Sequence, residues 1–139
     1  MMTMMVLNKD SMKIEKEQDV VPFRGRVKEY AVKINMSLLN QTKLITAASE
    51  LVRNMLKYAN GGKVLIEVVS EGRNTGIRLV FQDKGPGIKD ISLAMKDGYS
   101  SGKSLGIGLP GTKRLVNVFD IKSLPGEGTT VSIIKWKNG

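Results

Sequence analysis

The sequence predicts an α/β fold, one domain in which helices pack against a mainly antiparallel sheet, and three observations predict it. Leu44, Ile45, Ala48, Leu51, Val52, Met55, Leu56 and Ala59 form one continuous apolar stripe at helical spacing. Lys63 to Ser70 and Ile77 to Asp83 are β-rich runs joined by a turn containing Gly, Asn and Thr, the pattern of a hairpin. Phe119 to Ser123 and Thr129 to Trp136 make a second pair of strands, linked by Pro125-Gly126-Glu127-Gly128.

Taken in order, residues 1 to 18 mix Met, Lys, Glu and Asp without sustained periodicity and read as a flexible N-terminal arm or the lead-in to a first strand. Residues 19–139 read as the single folded domain. Val20 to Phe23 suggests a short strand, and Val27, Ala31 and Ile34 place an amphipathic helix over Arg24 to Asn35. The strongest helix follows, on the stripe from Leu44 to Ala59, and Asn60-Gly61-Gly62 ends it. In the second run of the hairpin, Ile77, Leu79 and Phe81 point to one face. A period of two puts Asp83 on that same inward face. A short helical pattern at Ile91 to Met95 interrupts a glycine-containing stretch, and a helix is expected from about Leu109 to Val118 with Pro110 in its first turn.

Composition narrows the chemistry. Of 139 residues, 41% are hydrophobic, enough for one core. No run approaches the roughly 18 apolar residues of a membrane span, and the methionine-rich start lacks the layout of a signal peptide, so a cytoplasmic protein without membrane attachment is expected. There is no cysteine and no histidine, which removes disulfides, thiolate chemistry, the commonest metal ligand and the commonest neutral-pH base. Twenty-two Lys and Arg against 13 acidic residues give a charge of +9, suited to nucleic acid, acidic protein surfaces or phosphates. Aromatic residues are only 5% and none interleave with the basic ones, so nucleic acid is not the expected partner.

Four groups of residues carry the chemistry. Glu50, Asn54 and Tyr58 recur at i, i+4 and i+8 on the strongest helix and share one side of it. That pattern also fits a plain solvated edge. A rise of roughly 1.5 Å per residue sets Glu50 and Asn54 about 6 Å apart along the axis, which suits a carboxylate on an attacking hydroxyl and an amide oxygen on Mg²⁺. Asp83-Lys84-Gly85-Pro86-Gly87-Ile88 puts an inward carboxylate before glycines; a turn explains the glycines, but a buried unpaired charge needs a partner. The adenine amine is one, and guanine presents a carbonyl there instead. Ser101 to Pro110 is a glycine-rich loop feeding a helix start, where backbone N–H groups of Gly106 and Gly108 and the cation of Lys103 would meet phosphate. It matches neither a dinucleotide fingerprint nor a Walker loop. Gly126-Glu127-Gly128-Thr129 is a hairpin turn or, through Thr129, a contact to a base.

In this order the four groups resemble the N box and the three G boxes of the GHKL superfamily of gyrase-type ATPases, Hsp90, MutL and histidine kinases. Ser49-Glu50-Leu51-Val52-Arg53-Asn54, Asp83 to Ile91, Asp97-Gly98-Tyr99-Ser100-Ser101 and Gly106 to Leu115 are most similar to the anti-sigma-factor kinases, and among them to the stressosome switch kinases. The resemblance covers about residues 20 to 137. It implies the Bergerat fold, a two-layer sandwich with a mixed, mainly antiparallel sheet and helices on one face. It implies ATP and Mg²⁺ as cofactors and a serine/threonine kinase in which Glu50 is the catalytic base, Asn54 ligates Mg²⁺ and Asp83 binds the adenine amine. Gly85, Gly87 and Thr129 would shape the base pocket; Gly106, Gly108 and Lys103 would hold phosphate. Tyr58 stands where sigma-binding relatives often have histidine, which favours the switch-kinase branch. The implied partners are STAS-domain proteins of a stressosome, as substrate and scaffold, and a PP2C-type phosphatase. A different class of function, a nucleotide-sensing binding module with little catalysis, fits the same residues.

Overall fold

Ser37 opens the longest element: its Oγ accepts from the Asn40 backbone N–H at 3.2 Å and caps helix α2, Leu38–Ala59. A computed structural model of the protein describes residues 3–87, 95 and 108–139. The helix starts before the apolar stripe because this cap, and not the first core residue, sets its beginning. At its other end Asn60 takes a left-handed conformation, φ 59°, and stops it where the sequence predicts. Leu44, Ala48, Leu51, Val52 and Met55 are buried along the stripe.

Helix α1, Val20–Lys33, packs on α2 and buries Phe23, Val27 and Ala31. The short strand expected at Val20 to Phe23 is instead the first turn of this helix, preceded by a 3-10 turn at Glu17–Asp19. Pro22 within the first turn loses no internal hydrogen bond there, and burial of Phe23 outweighs the β preference of the two valines. The ring of Phe23 meets Phe81 edge-on, with centroids 6.1 Å apart.

Five strands form one sheet, β1 (Met5–Ile14), β2 (Gly62–Glu71), β3 (Asn74–Gln82), β4 (Val118–Leu124) and β5 (Gly128–Trp136), in the order β1-β2-β3-β5-β4. All four pairings are antiparallel among the described residues. Both predicted hairpins form, and the inward residues Val64, Ile66, Ile77, Leu79, Phe81 and Ile133 make one core with the helices. The opposite face carries the Glu67 to Arg78 ion pair, 2.7 Å long. The result is a two-layer sandwich. Helix α3, Gly108–Leu115, packs on α2 and is shorter than expected, since Val118 already pairs with Ile134 as the first residue of β4. The short helix expected at Ile91 to Met95 lies, save for Met95, outside the described residues.

The segment expected to be a flexible arm corrects that expectation: residues 5–14 form β1, the edge strand beside β2. Only Ile14 is buried and Met12 and Asp10 half-buried, so the strand carries almost no alternating apolar signal. Backbone pairing holds it, together with Asp10, whose Oδ2 accepts from Arg26 and, at 3.1 Å, from the Tyr30 hydroxyl on α1. The Arg26 hydrogen bond holds the Asp10 carboxyl below its ordinary value of 3.8. A depressed folded value means that the ionised form stabilises the fold above pH 3.8, and that this contribution is lost as the pH falls through the lowered value. Asp10→Asn is therefore expected to melt slightly lower than wild type at pH 7, by the modest amount typical of half-exposed ion pairs, and the two melting curves to converge below pH 3.8. Thermal melting across that range checks it.

Candidate functional site

The C-terminal half of α2 is the spine of the site. Glu50 is 5% exposed, and its carboxylate is held from two sides: Oε1 accepts from the backbone N–H of Gly108, the first residue of α3, at 3.3 Å, and Oε2 lies 3.5 Å from Arg53 Nη1 one turn along. An acid at the start of a short helix complements the dipole there, which explains why a carboxylate tolerates this burial. Thr112 is fully buried and its hydroxyl donates to the Gly108 carbonyl at 2.9 Å, stiffening the first turn that presents the amide. Asn54, one turn beyond Glu50, is half-buried on the same side of α2. Tyr58, another turn on, is 42% exposed.

The second cluster sits at the end of α2. Asp83 follows the last residue of β3 in the phase expected from Ile77, Leu79 and Phe81, but is half-buried where they are buried. Its backbone N–H donates to the Thr129 carbonyl at 3.0 Å, extending the β3 to β5 pairing by one step. Its Oδ1 accepts from the N–H of Gly85 at 2.9 Å and of Thr129 at 3.1 Å. The carboxylate is thus less isolated than the sequence suggests, because the loop turns back to cap it as an Asx-turn. Oδ2 has no hydrogen-bond partner among the described residues and remains an acceptor.

The glycines of this loop have an internal reason. A Cβ on Gly85 would lie 2.5 Å from the Cβ of Ala59, and one on Gly87 2.3 Å from the Leu124 carbonyl oxygen, where Gly87 also has φ 76°. The loop is pressed between the end of α2 and the β4 to β5 turn, and Gly126 donates to the Pro86 carbonyl at 2.8 Å. Close approach was expected toward a ligand; here the Ala59 side chain and the Leu124 backbone also supply it. The Thr129 hydroxyl, expected near a base, pairs with Ser123 Oγ at 2.8 Å.

The structure therefore brings Glu50 to Gly108, and Asp83 to Gly85 and Thr129, along one helix. Ala59 lies about 13 Å beyond Glu50 along the axis, from the rise of roughly 1.5 Å per residue. Lys103 and Gly106 lie outside the described residues. Three residues not singled out from sequence take part. Arg53 is legible from its i+3 spacing to Glu50, and Ser123 from the hairpin register that sets it opposite Thr129. Nothing in the sequence points to Thr112.

The donors suit an adenine nucleotide with a divalent cation. Asp83 Oδ2 offers the acceptor an adenine amine needs, Asn54 a hard carbonyl oxygen, and the start of α3 backbone N–H groups for phosphate. Among the described residues no group of three or more His, Cys, Asp or Glu could hold a metal alone, so phosphate and water oxygens would complete the sphere. No helix among them is long and apolar enough to cross a membrane.

Comparison with known proteins agrees with this geometry. Residues 39–138 match the family described as histidine kinase-, DNA gyrase B-, and HSP90-like ATPase. The serine/threonine-protein kinase RsbT of Bacillus subtilis (strain 168) is 40% identical over 124 residues, which is 89% of this chain and 93% of that one. An anti-sigma F factor of Pasteuria penetrans is 27% identical over 118 residues, 81% of this chain and 79% of the other. In fold, the RsbU and RsbW domains of a Mycobacterium tuberculosis protein superpose with a TM-score of 0.65 at 17% identity, covering 92% of this chain and 32% of that longer one. The chain belongs to the histidine kinase-, gyrase B- and Hsp90-like ATPases, within their anti-sigma-factor-type serine/threonine kinases.

Proposed function

We propose that the protein binds Mg-ATP alongside α2 and transfers the γ-phosphoryl group to a serine or threonine of STAS-domain proteins in a stressosome-type partner-switching pathway that controls a stress response. Released from that complex in the cytoplasm, it binds and activates a PP2C-type phosphatase. The observation that carries the kinase reading is Glu50, a buried carboxylate held in place by Gly108 and Arg53 with Asn54 one turn away.

In the transfer, the acceptor oxygen bonds to the γ-phosphorus, the bond from phosphorus to the bridging oxygen breaks, and ADP leaves. The hydroxyl proton passes to Glu50. Asn54, together with phosphate oxygens, would hold Mg²⁺, which would supply neutralisation of the phosphate charge. Asp83 takes the adenine amine, with Gly85, Gly87 and Thr129 forming the wall behind it. Backbone N–H groups at Gly106 and Gly108, with Lys103, hold the phosphates. The Gly108 amide serves Glu50 in the structure, so an arriving phosphate competes for it. That competition supports a second reading, a nucleotide-sensing module in which ATP rearranges the start of α3 with little catalysis.

Incubation with labelled ATP, Mg²⁺ and a STAS-domain protein decides between them. Stable label on a serine or threonine of the STAS protein is the expected result. A STAS protein that stays unlabelled while ATP binds would leave only the sensing module.

A further inference from the structure

Asp83, Thr129 and Ser123 stand in one row across three neighbouring strands. Ser123 pairs with Thr129 in the β4 to β5 register. On the other side of Thr129, the Asp83 N–H donates to the Thr129 carbonyl and the Thr129 N–H to Asp83 Oδ1. Each of the three marks the point at which the inward apolar series of a strand turns polar. Ser123 follows Phe119 and Ile121, Asp83 follows Ile77, Leu79 and Phe81, and Thr129 precedes Val131 and Ile133. All three are half-buried. Asp83 and Thr129 belong to the base pocket, whereas the hydroxyl of Ser123 has no part in it so far.

Counting protons gives it one. Ser123 Oγ lies 3.1 Å from the Gly128 carbonyl oxygen and 2.8 Å from Thr129 Oγ1. A carbonyl only accepts, so the Ser123 proton lies on the Gly128 contact, and Thr129 is then the donor in the shorter one. The Thr129 proton is thereby fixed on Ser123, and a lone pair is what its oxygen turns toward any other neighbour. Asp83 Oδ2, beside it, is likewise an acceptor. Without Ser123 the Thr129 hydroxyl would be free to rotate and donate.

We propose that Ser123 is a positioning residue for base selection, holding Thr129 Oγ1 as an acceptor beside Asp83 Oδ2 so that a purine meets two acceptors. The inference rests on the reading that adenine binds at Asp83. The exocyclic amine of adenine carries two hydrogens and suits both acceptors. Hypoxanthine and guanine carry a carbonyl in its place and would set lone pairs against both. Fixing the hydroxyl removes the one group of the row that could turn to accommodate that carbonyl.

The test measures the affinities of the full chain with Mg²⁺ for ATP and for inosine triphosphate, by calorimetry. Ser123→Ala is expected to raise the ratio of inosine triphosphate to ATP affinity about 3- to 10-fold, the scale of one neutral hydrogen bond. Ser123→Val, which suits a strand but has no hydroxyl, should do the same, and Ser123→Thr, which keeps the hydroxyl, should restore the wild-type ratio. Adding Ser123→Ala to Thr129→Val should change the ratio no further, because the hydroxyl that Ser123 steers is gone. A hairpin merely loosened by the loss of Ser123 would lower both affinities together and leave the ratio alone. An unchanged ratio with Ser123→Ala and Ser123→Val, or the same change in the Thr129→Val background, overturns the inference while adenine stays at Asp83. A wild-type chain that binds both nucleotides equally overturns the adenine reading, and the inference falls with it.

Discussion

Glu50→Gln is expected to leave ATP affinity and thermal stability close to wild type while lowering phosphoryl transfer about 10²- to 10⁴-fold, the contribution typical of a positioned general base. The substitution isolates one property. Glutamine keeps the size of the side chain and an oxygen that accepts from the Gly108 N–H, so the contact between α2 and α3 survives. What it lacks is the capacity to take the acceptor proton. Arg53 loses an anionic partner 3.5 Å away, a small matter for a guanidinium that is 63% exposed. Single-turnover transfer from labelled ATP, read beside a melting curve, checks the expectation. Transfer at the wild-type rate by a folded variant would remove Glu50 from proton transfer and leave it as a clasp for α3.

For Asp83→Asn the expected loss is in binding. The asparagine oxygen can replace Oδ1 and keep the N–H groups of Gly85 and Thr129, so the loop stays folded. Its amide nitrogen then occupies the place of Oδ2 and sets a donor against the adenine amine, itself a donor. Hydrogen bonds to charged groups contribute about 1.5–3 kcal/mol, so ATP affinity should fall roughly 10- to 100-fold. The same exchange favours a base that presents a carbonyl, and the ratio of GTP to ATP affinity should rise. Calorimetry with both nucleotides measures this, and unchanged ATP affinity would place adenine elsewhere.

How legible these features are in the sequence depends on where each residue gets its stability. The stripe from Leu44 to Ala59 reads directly as α2, because burial on one side of a helix imposes its period on the sequence. Phase along β3 likewise places Asp83 on the inward side. The strand β1 is almost silent, since an edge strand held by backbone pairing and by Asp10 on α1 leaves little apolar pattern to read. Val20 to Phe23 misleads for the opposite reason: β-branched residues are placed in a helix by tertiary burial of Phe23. At the candidate site, the placement of Glu50 and Asn54 one turn apart on α2 and of Asp83 at the end of β3 is legible. Their partners are less so, because Gly108 N–H to Glu50 and Thr129 N–H to Asp83 join residues 58 and 46 positions apart, and only the folded chain shows that the acid and the amide meet. The reason for Gly85 is legible only in part, since a sequence shows that room is needed but not that Ala59 fills it.

The position of β1 also bears on how the protein behaves in concentrated solution. Its pairing with β2 shifts register between Val6 and Asn8, and it carries exposed Lys9 and Lys13, features that discourage one sheet from zipping onto another. Behind it lies β2, where Val64, Ile66, Val68 and Val69 are shielded. A version of the chain trimmed of its first fourteen residues would keep Glu50, Asn54 and Asp83, yet present that valine- and isoleucine-rich ribbon unpaired. Such a fragment would precipitate before it could be assayed, and its silence would say nothing about the chemistry.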